Sequence, residues 1–273
     1  MLYIYNIQKI IFLNKIVIAI IKQLIKAIFS SFTMRLVSLF SGGKDSTFSI
    51  FKMKEIGHEV VCLITMQPQT DDSLLFHYPN SALTKQLGEA MGIPSFRFTL
   101  KKSTKEEEVN SLEYAIKKIK SIHNIQGLVH GGISSIFQKN KFQIACSKQG
   151  LETFTPLWGV EPLQYMHDLI DKKFCIKIVG VSTMGLDESW LGITLDKNSL
   201  YKLESLSKKY GFNITFEGGE AETLTLDCPL FKKRLKIKDA RAHWDGQRGI
   251  FEILEVALIS KQSCHVRQFK NRS

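Results

Sequence analysis

A short apolar run, Arg35-Leu-Val-Ser-Leu-Phe40, is followed by Ser41-Gly-Gly-Lys-Asp-Ser46 and then by a stretch with apolar residues at helical spacing, Phe48, Phe51 and Ile56. Strand, tight glycine turn and helix in that order leave few folds open. Two glycines let the backbone take positive φ and approach an anion closely. A helix starting near Asp45 would aim free N–H groups and its positive dipole end at that anion. Ser41 and Ser46 can add hydroxyl donors, and Lys44 a compact positive charge. The spacing is neither Gly-x-x-x-x-Gly-Lys-Ser/Thr nor Gly-x-Gly-x-x-Gly. A glycine turn that holds no ligand is the plain alternative.

The rest of the first half repeats the alternation. Strands are predicted at 59–66, 95–99 and 127–130, and helices at 80–91 and 105–122, with Gly92-Ile-Pro94 and Gly131-Gly132 as breaks. Such alternation calls for right-handed crossovers and a parallel sheet. Ligands then bind at the carboxyl ends of the strands. Both Ser41–Ser46 and Gly131-Gly132 lie at such ends. The second half reads differently. Helices are predicted at 137–148, 161–171 and 197–210, strands at 174–181, 214–217, 223–226, 234–243 and 249–259, and Trp244–Gly249 as a hairpin connection.

The 273 residues suit one large domain or two modest ones. The net charge of +11 is unevenly placed. Residues 1–33 carry Lys9, Lys15, Lys22 and Lys26 without an acid, and residues 261–273 carry Lys261, Arg267, Lys270 and Arg272 without an acid; with +4 at each end, +3 remains for residues 34–260. A near-balanced body argues against a nucleic-acid surface. Lysines interrupt residues 1–33 too often for a membrane span or a secretory signal. The preferred reading is that Met34 is the true start. Cys62, Cys146, Cys175, Cys228 and Cys264 are odd in number and show no Cys-x-x-Cys pair. Reduced thiols in a cytoplasmic protein fit that pattern.

A second constellation is Phe216-Glu-Gly-Gly-Glu-Ala-Glu-Thr223, where Glu217, Glu220 and Glu222 surround Gly218-Gly219. From composition alone a charged surface turn explains it. The resemblance of the whole chain adds more. Ser41–Ser46 resembles the Ser-Gly-Gly-x-Asp-Ser loop of PP-loop ATP pyrophosphatases. Gly131-Gly-Ile133 with Phe137-Gln-Lys139, Thr155-Pro-Leu-Trp-Gly159, Gly185-Leu-Asp-Glu-Ser-Trp-Leu-Gly192 and Glu217–Thr223 follow in the order seen in diphthine–ammonia ligases. The likeness runs from about Met34 to about Leu258.

That resemblance implies an α/β, HUP-type parallel-sheet domain followed by a smaller α+β domain, with an expected division at 34–140 and 141–260, an extension at 1–33 and a basic tail at 261–273. It implies ATP and Mg2+ as cofactors and a diphthine-bearing elongation factor 2 and ammonium as partners. ATP would adenylate the diphthine carboxylate, and ammonia would displace AMP. Ser41, Gly42, Gly43, Lys44, Asp45 and Ser46 would bind phosphate, with Lys44 and Asp45 catalytic and Asp45 assisting magnesium. Asp45 could instead cap its helix. Gly131, Gly132 and Ser135 would lie near the nucleotide. His77 could approach it too, or be an ordinary loop histidine. Glu217, Gly218, Gly219, Glu220 and Glu222 would recognise the cationic diphthine group or ammonium. No stable nucleic acid or membrane partner is expected, and a homodimer is left open. Lys139 and Lys141 stand where the family would lead one to expect arginines, which leaves their roles open.

Two rival functions share the first domain: a tRNA-modifying PP-loop ATP pyrophosphatase and a non-catalytic nucleotide binder. The balanced body and the acidic turn count against the first, and the intact loop against the second. Trp158, Trp190 and Trp244 read as packing residues. Lys232–Lys238 reads as an edge strand with a solvated face.

Overall fold

The computed structural model describes residues 33–67, 81–100 and 105–261. His77, most of residues 1–33 and the tail beyond Lys261 lie outside the described residues.

Five strands, β1 (Arg35–Leu39), β2 (Glu59–Gln67), β3 (Ser95–Thr99), β4 (Gly127–Val129) and β5 (Glu152–Phe154), form a parallel sheet in the order β3-β2-β1-β4-β5. The connecting helices are α1 (Lys44–Glu55), α2 (Thr84–Met91), α3 (Lys105–Ile122) and α4 (Ile136–Ser147). From β1 the chain moves outward to β2 and β3, then returns to the other side of β1 as β4. The strand order therefore reverses between β1 and β4, and the crevice at their carboxyl ends is where such sheets take ligands.

The second half adds α5 (Pro162–Asp171), α6 (Lys197–Tyr210) and an antiparallel sheet in the order β7-β6-β9-β8. Its strands are β6 (Cys175–Val181), β7 (Ala221–Asp227), β8 (Lys233–Trp244) and β9 (Gly249–Ser260). Local chemistry sets the helix starts. Glu161 accepts from the N–H groups of Leu163 and Gln164 ahead of Pro162, and Asp196 forms a capping box with Ser199. The lysine-rich β8 is an edge strand, as its alternation predicts.

Period-two side chains send the parallel sheet's two faces to two cores. Val37, Ile64, Met66 and Leu128 pack with Leu112, Ile116 and Phe142 of α3 and α4. On the other face, Phe40, Leu63 and Phe48 join one cluster with Tyr165, Phe174, Ile176 and Leu224 from the second half. Phe48 lies 5.5 Å from the Tyr165 ring and 5.2 Å from the Phe174 ring. The two sheets are thus welded through a shared apolar seam.

Three expectations need correction. The parallel sheet extends past residue 140, because Glu152–Phe154 pairs with β4. Residues 214–217 form a turn: Asn213 Oδ1 accepts from both the N–H and the hydroxyl of Thr215, at 2.9 Å each, and closes the chain on itself. Asp45 does not cap α1. Gly43 holds that position and no side chain bonds there.

Buried Phe48 anchors the seam, so Phe48→Ala is expected to cost about 3–5 kcal/mol. Urea denaturation followed by far-ultraviolet and by fluorescence should show both halves losing stability together. Loss confined to one half would contradict a shared core.

Candidate active site

A cleft of about 420 Å³ opens at the β1–β4 crevice, within the ordinary size of ligand pockets. One wall is the turn between β1 and α1. The opposite wall is the 216–223 segment of the second half, and the Gly131–Ile133 loop after β4 lies between them.

The turn is held in shape by its own hydroxyls. Ser41 Oγ and Ser46 Oγ are 3.0 Å apart, Gly43 N–H donates to Ser41 Oγ, and Ser46 and Thr47 hydroxyls donate to Gly43 O. Gly42 has φ +83°, and a Cβ there would stand 2.5 Å from Leu87 Cδ1. Its place is conformational, since only glycine meets both demands. Gly131 lies flat against the first turn of α1; a Cβ on it would come within 2.7 Å of Asp45 C and Ser46 N. The N–H groups of that first turn have no carbonyl four residues back to bond.

The second half reaches into the turn by hydrogen bonds. Thr225 N–H donates to Gly42 O at 2.9 Å, and Lys44 N–H donates to Thr223 Oγ1 at 3.2 Å. Lys44 is 2% exposed; its Nζ lies 2.9 and 2.8 Å from the two Asp45 carboxylate oxygens and 5.6 Å from the Phe216 ring. Asp45 Oδ1 also accepts from the Tyr165 hydroxyl at 2.7 Å. Phe216 is buried with φ +63°, a left-handed conformation that costs a bulky residue about 1–3 kcal/mol.

The three glutamates part company. Glu217 Oε1 accepts from the N–H groups of Ile133, Ser134 and Ser135, and Oε2 from the Ser134 hydroxyl. Burial alone would raise its pKa; these four donors outweigh burial and hold it below the usual carboxylate value. Glu217 therefore ties the 216–219 turn to the start of α4, where Ser135 is the N-cap. Glu220 turns away from the cleft and accepts from Asn213 N–H. Glu222, on β7, lines the cleft.

Of the residues singled out by sequence, Ser41, Gly43, Lys44, Asp45, Ser46, Gly131, Gly132, Glu217, Gly218, Gly219 and Glu222 line one cleft. Gly42 and Ser135 support it from behind. Lys139, with its Nζ 4.1 Å from the Trp158 ring, is held on that ring. Sequence reading missed His130, Tyr165, Phe216 and Thr223. His130 had a visible signal, as the residue at a strand end beside Gly131-Gly132. Tyr165 had none, since one tyrosine on an amphipathic helix says nothing about what its hydroxyl meets.

His130 is 2% exposed at the cleft floor, edge-on to Phe142. Gly132 N–H donates to its Nδ1 at 3.1 Å, so the neutral ring carries its proton on Nε2. Burial, and then the Lys139 charge, push its pKa down from 6.5 to about 4. Burial likewise pushes the Cys62 and Cys228 thiols to about 12 and the Cys146 thiol to about 11, so they stay protonated and inert.

Two family models match the chain: one described as the diphthamide synthase N-terminal domain over residues 34–153, and one as the diphthamide synthase C-terminal domain over residues 161–259. The chain is similar to the curated diphthine–ammonia ligase of Homo sapiens, 32% identical over 220 residues, covering 74% of this chain and 82% of that protein. It is 33% identical over 221 residues to that of Danio rerio, covering 75% and 86%. Against the Schizosaccharomyces pombe protein of that name it is 29% identical over 221 residues, covering 76% of this chain and 36% of the longer relative. A solved Methanocaldococcus jannaschii chain, titled a predicted subunit of tRNA methyltransferase, aligns over 69% of this chain and 95% of that chain with 19% identity. Its TM-score is 0.37, too low to bear on function.

The His130 ring gives a pH test. Between pH 6.5 and about 4 the unfolded chain takes up a proton that the folded protein refuses. Stability present above pH 6.5 is therefore lost as the pH falls through that window, by about 3 kcal/mol in all. Urea midpoints from pH 7.5 to 4 should fall for the unaltered protein and fall distinctly less for His130→Gln. Parallel curves would contradict a neutral buried ring.

Proposed function

The chain belongs to the diphthamide synthase family, and from that premise we propose that it is an ATP-dependent ligase that converts the carboxylate of diphthine on elongation factor 2 to the amide of diphthamide. The observation that carries the reading is the cleft's polarity. One wall is a helix N-terminus preceded by a glycine turn, suited to a polyphosphate. The facing wall carries the Glu222 carboxylate, suited to ammonium or the cationic diphthine group.

On this reading the substrate carboxylate attacks the α-phosphorus of ATP and pyrophosphate leaves, giving an acyl-adenylate. The N–H groups of the α1 first turn and its dipole stabilise the charge growing on the pyrophosphate. Ser41 and Ser46 supply hydroxyls beside it. The Lys44–Asp45 pair opens as the polyphosphate arrives, and Lys44 turns its charge toward the phosphates. Ammonium gathers on the Glu222 wall and releases one proton to water, and the nitrogen releases a second to water once it is bonded to the acyl carbon. Ammonia then attacks the acyl carbon, AMP leaves, and the amide remains.

Among the described residues, no group of three His, Cys, Asp or Glu side chains converges to hold a metal ion. The Asp45 carboxylate at the phosphate turn fits an ion whose other ligands are phosphate oxygens and water. Such an ion would supply charge neutralisation on the phosphates.

Incubation with ATP, magnesium, ammonium and diphthine-bearing elongation factor 2 should yield AMP and pyrophosphate. The target should become lighter by the difference between a hydroxyl and an amino group. Asp45→Ala should lower AMP formation by roughly 10²-fold or more while the fold is retained. Formation of ADP, or an undiminished Asp45→Ala rate, would overturn the assignment.

A further inference from the structure

Asp45 is the second residue of α1. A carboxylate there has ready partners in the free N–H groups of its own helix. Those N–H groups are the ones a phosphate needs. A carboxylate folded onto them would fill the cradle with negative charge and repel a polyphosphate.

The structure keeps it elsewhere. The carboxylate's bonds run to Tyr165 Oη at 2.7 Å and to Lys44 Nζ at 2.9 and 2.8 Å. The two partners differ in kind. Lys44 neighbours Asp45 in sequence, and adjacent helical residues do not face each other, so its long chain must bend back to make the contact. Its ammonium is a compact charge on a four-carbon stem whose rotation alone can carry it from the carboxylate to a phosphate in the adjoining cleft. Tyr165 cannot follow. Its ring is 2% exposed on α5 and wedged 5.5 Å from Phe48 in the seam between the halves. Burial, and then the Asp45 charge, raise the phenol's pKa well above its ordinary value, so the hydroxyl stays protonated and donates.

We propose that Tyr165 is a positioning residue that pins one oxygen of the Asp45 carboxylate away from the N–H groups of α1, keeping the phosphate turn open to a polyphosphate. The inference rests on the reading above that this turn takes ATP. It adds that the second half of the chain, which already holds the turn through Thr223 and Thr225, also sets where the Asp45 carboxylate lies, through the Tyr165 hydroxyl.

The test is a double-mutant cycle of Tyr165→Phe and Asp45→Asn, read by calorimetric binding of magnesium–ATP and by thermal melting. A hydrogen bond to a charged group is worth about tenfold or more, so Tyr165→Phe should weaken binding about tenfold. With Asp45→Asn already present, it should change binding by less than about twofold. Tyr165→His, which keeps a ring and a donor, should recover part of the loss. An equal loss in both backgrounds would make the tyrosine merely structural and overturn the proposal, as would no loss at all. Failure of the unaltered protein to bind magnesium–ATP would instead remove the nucleotide reading, and the proposal with it. Should the variants melt early, proton NMR of the unaltered protein decides. A slowly exchanging tyrosine hydroxyl proton bonded to Asp45 should persist with and without magnesium–ATP, and its absence from the nucleotide-bound protein would overturn the proposal.

Discussion

The Ser41–Ser46 turn is docked along a strand that follows it by almost 180 residues. Thr225 N–H donates to Gly42 O, and Thr223 Oγ1 receives Lys44 N–H. Buried backbone groups must find partners, and here each half supplies what the other lacks. The apolar seam of Phe40, Phe48, Tyr165, Phe174 and Leu224 keeps those partners in register. Without that seam, the turn would lose Thr225 at Gly42, Thr223 at Lys44 and Tyr165 at Asp45. The cleft exists because two sheets of different kinds share one core.

Its electrostatics follow from the same docking. Two opposite charges, Lys44 and Asp45, sit next to each other in sequence at the cleft's glycine turn. Paired, they add little net charge, so the helix dipole and its N–H groups set the local field. Glu217 is similarly spent, its carboxylate accepting from three N–H groups and a hydroxyl at the start of α4. A half-buried carboxylate with four donors serves as a strut between segments and contributes little to ligand attraction. Glu222 lines the cleft wall from β7, while Glu220 fastens the Asn213 turn.

Much of the framework was legible in the chain, because it rests on local signals. Residues 105–122 and 197–210 show helical periodicity over many turns, and the structure gives those same spans to α3 and α6. The strand–turn–helix at 35–55 announced itself by its glycines. What could not be read depends on distant partners. Strand β5 is three residues long and gains its identity only by pairing with β4. Residues 214–217 look like a strand by composition, yet the Asn213 side chain curls them into a turn that places Phe216 at positive φ. Glu217, Glu220 and Glu222 read as one acidic cluster, but they occupy a turn and a strand whose side chains point three ways. Tyr165 meets Asp45 across 120 residues of sequence, a contact that no local pattern encodes.

On the proposed function the backbone between β1 and α1 grips the phosphates of ATP, with the second half holding that backbone in place. A crystal structure with magnesium and a non-hydrolysable ATP analogue tests it most directly. The β- and γ-phosphate oxygens are expected within hydrogen-bond distance, about 2.7–3.2 Å, of the N–H groups of Asp45 and Ser46, with the Lys44 ammonium turned onto them and Tyr165 still bonded to Asp45. Phosphates bound away from that turn, with the Lys44–Asp45 pair intact, would contradict it.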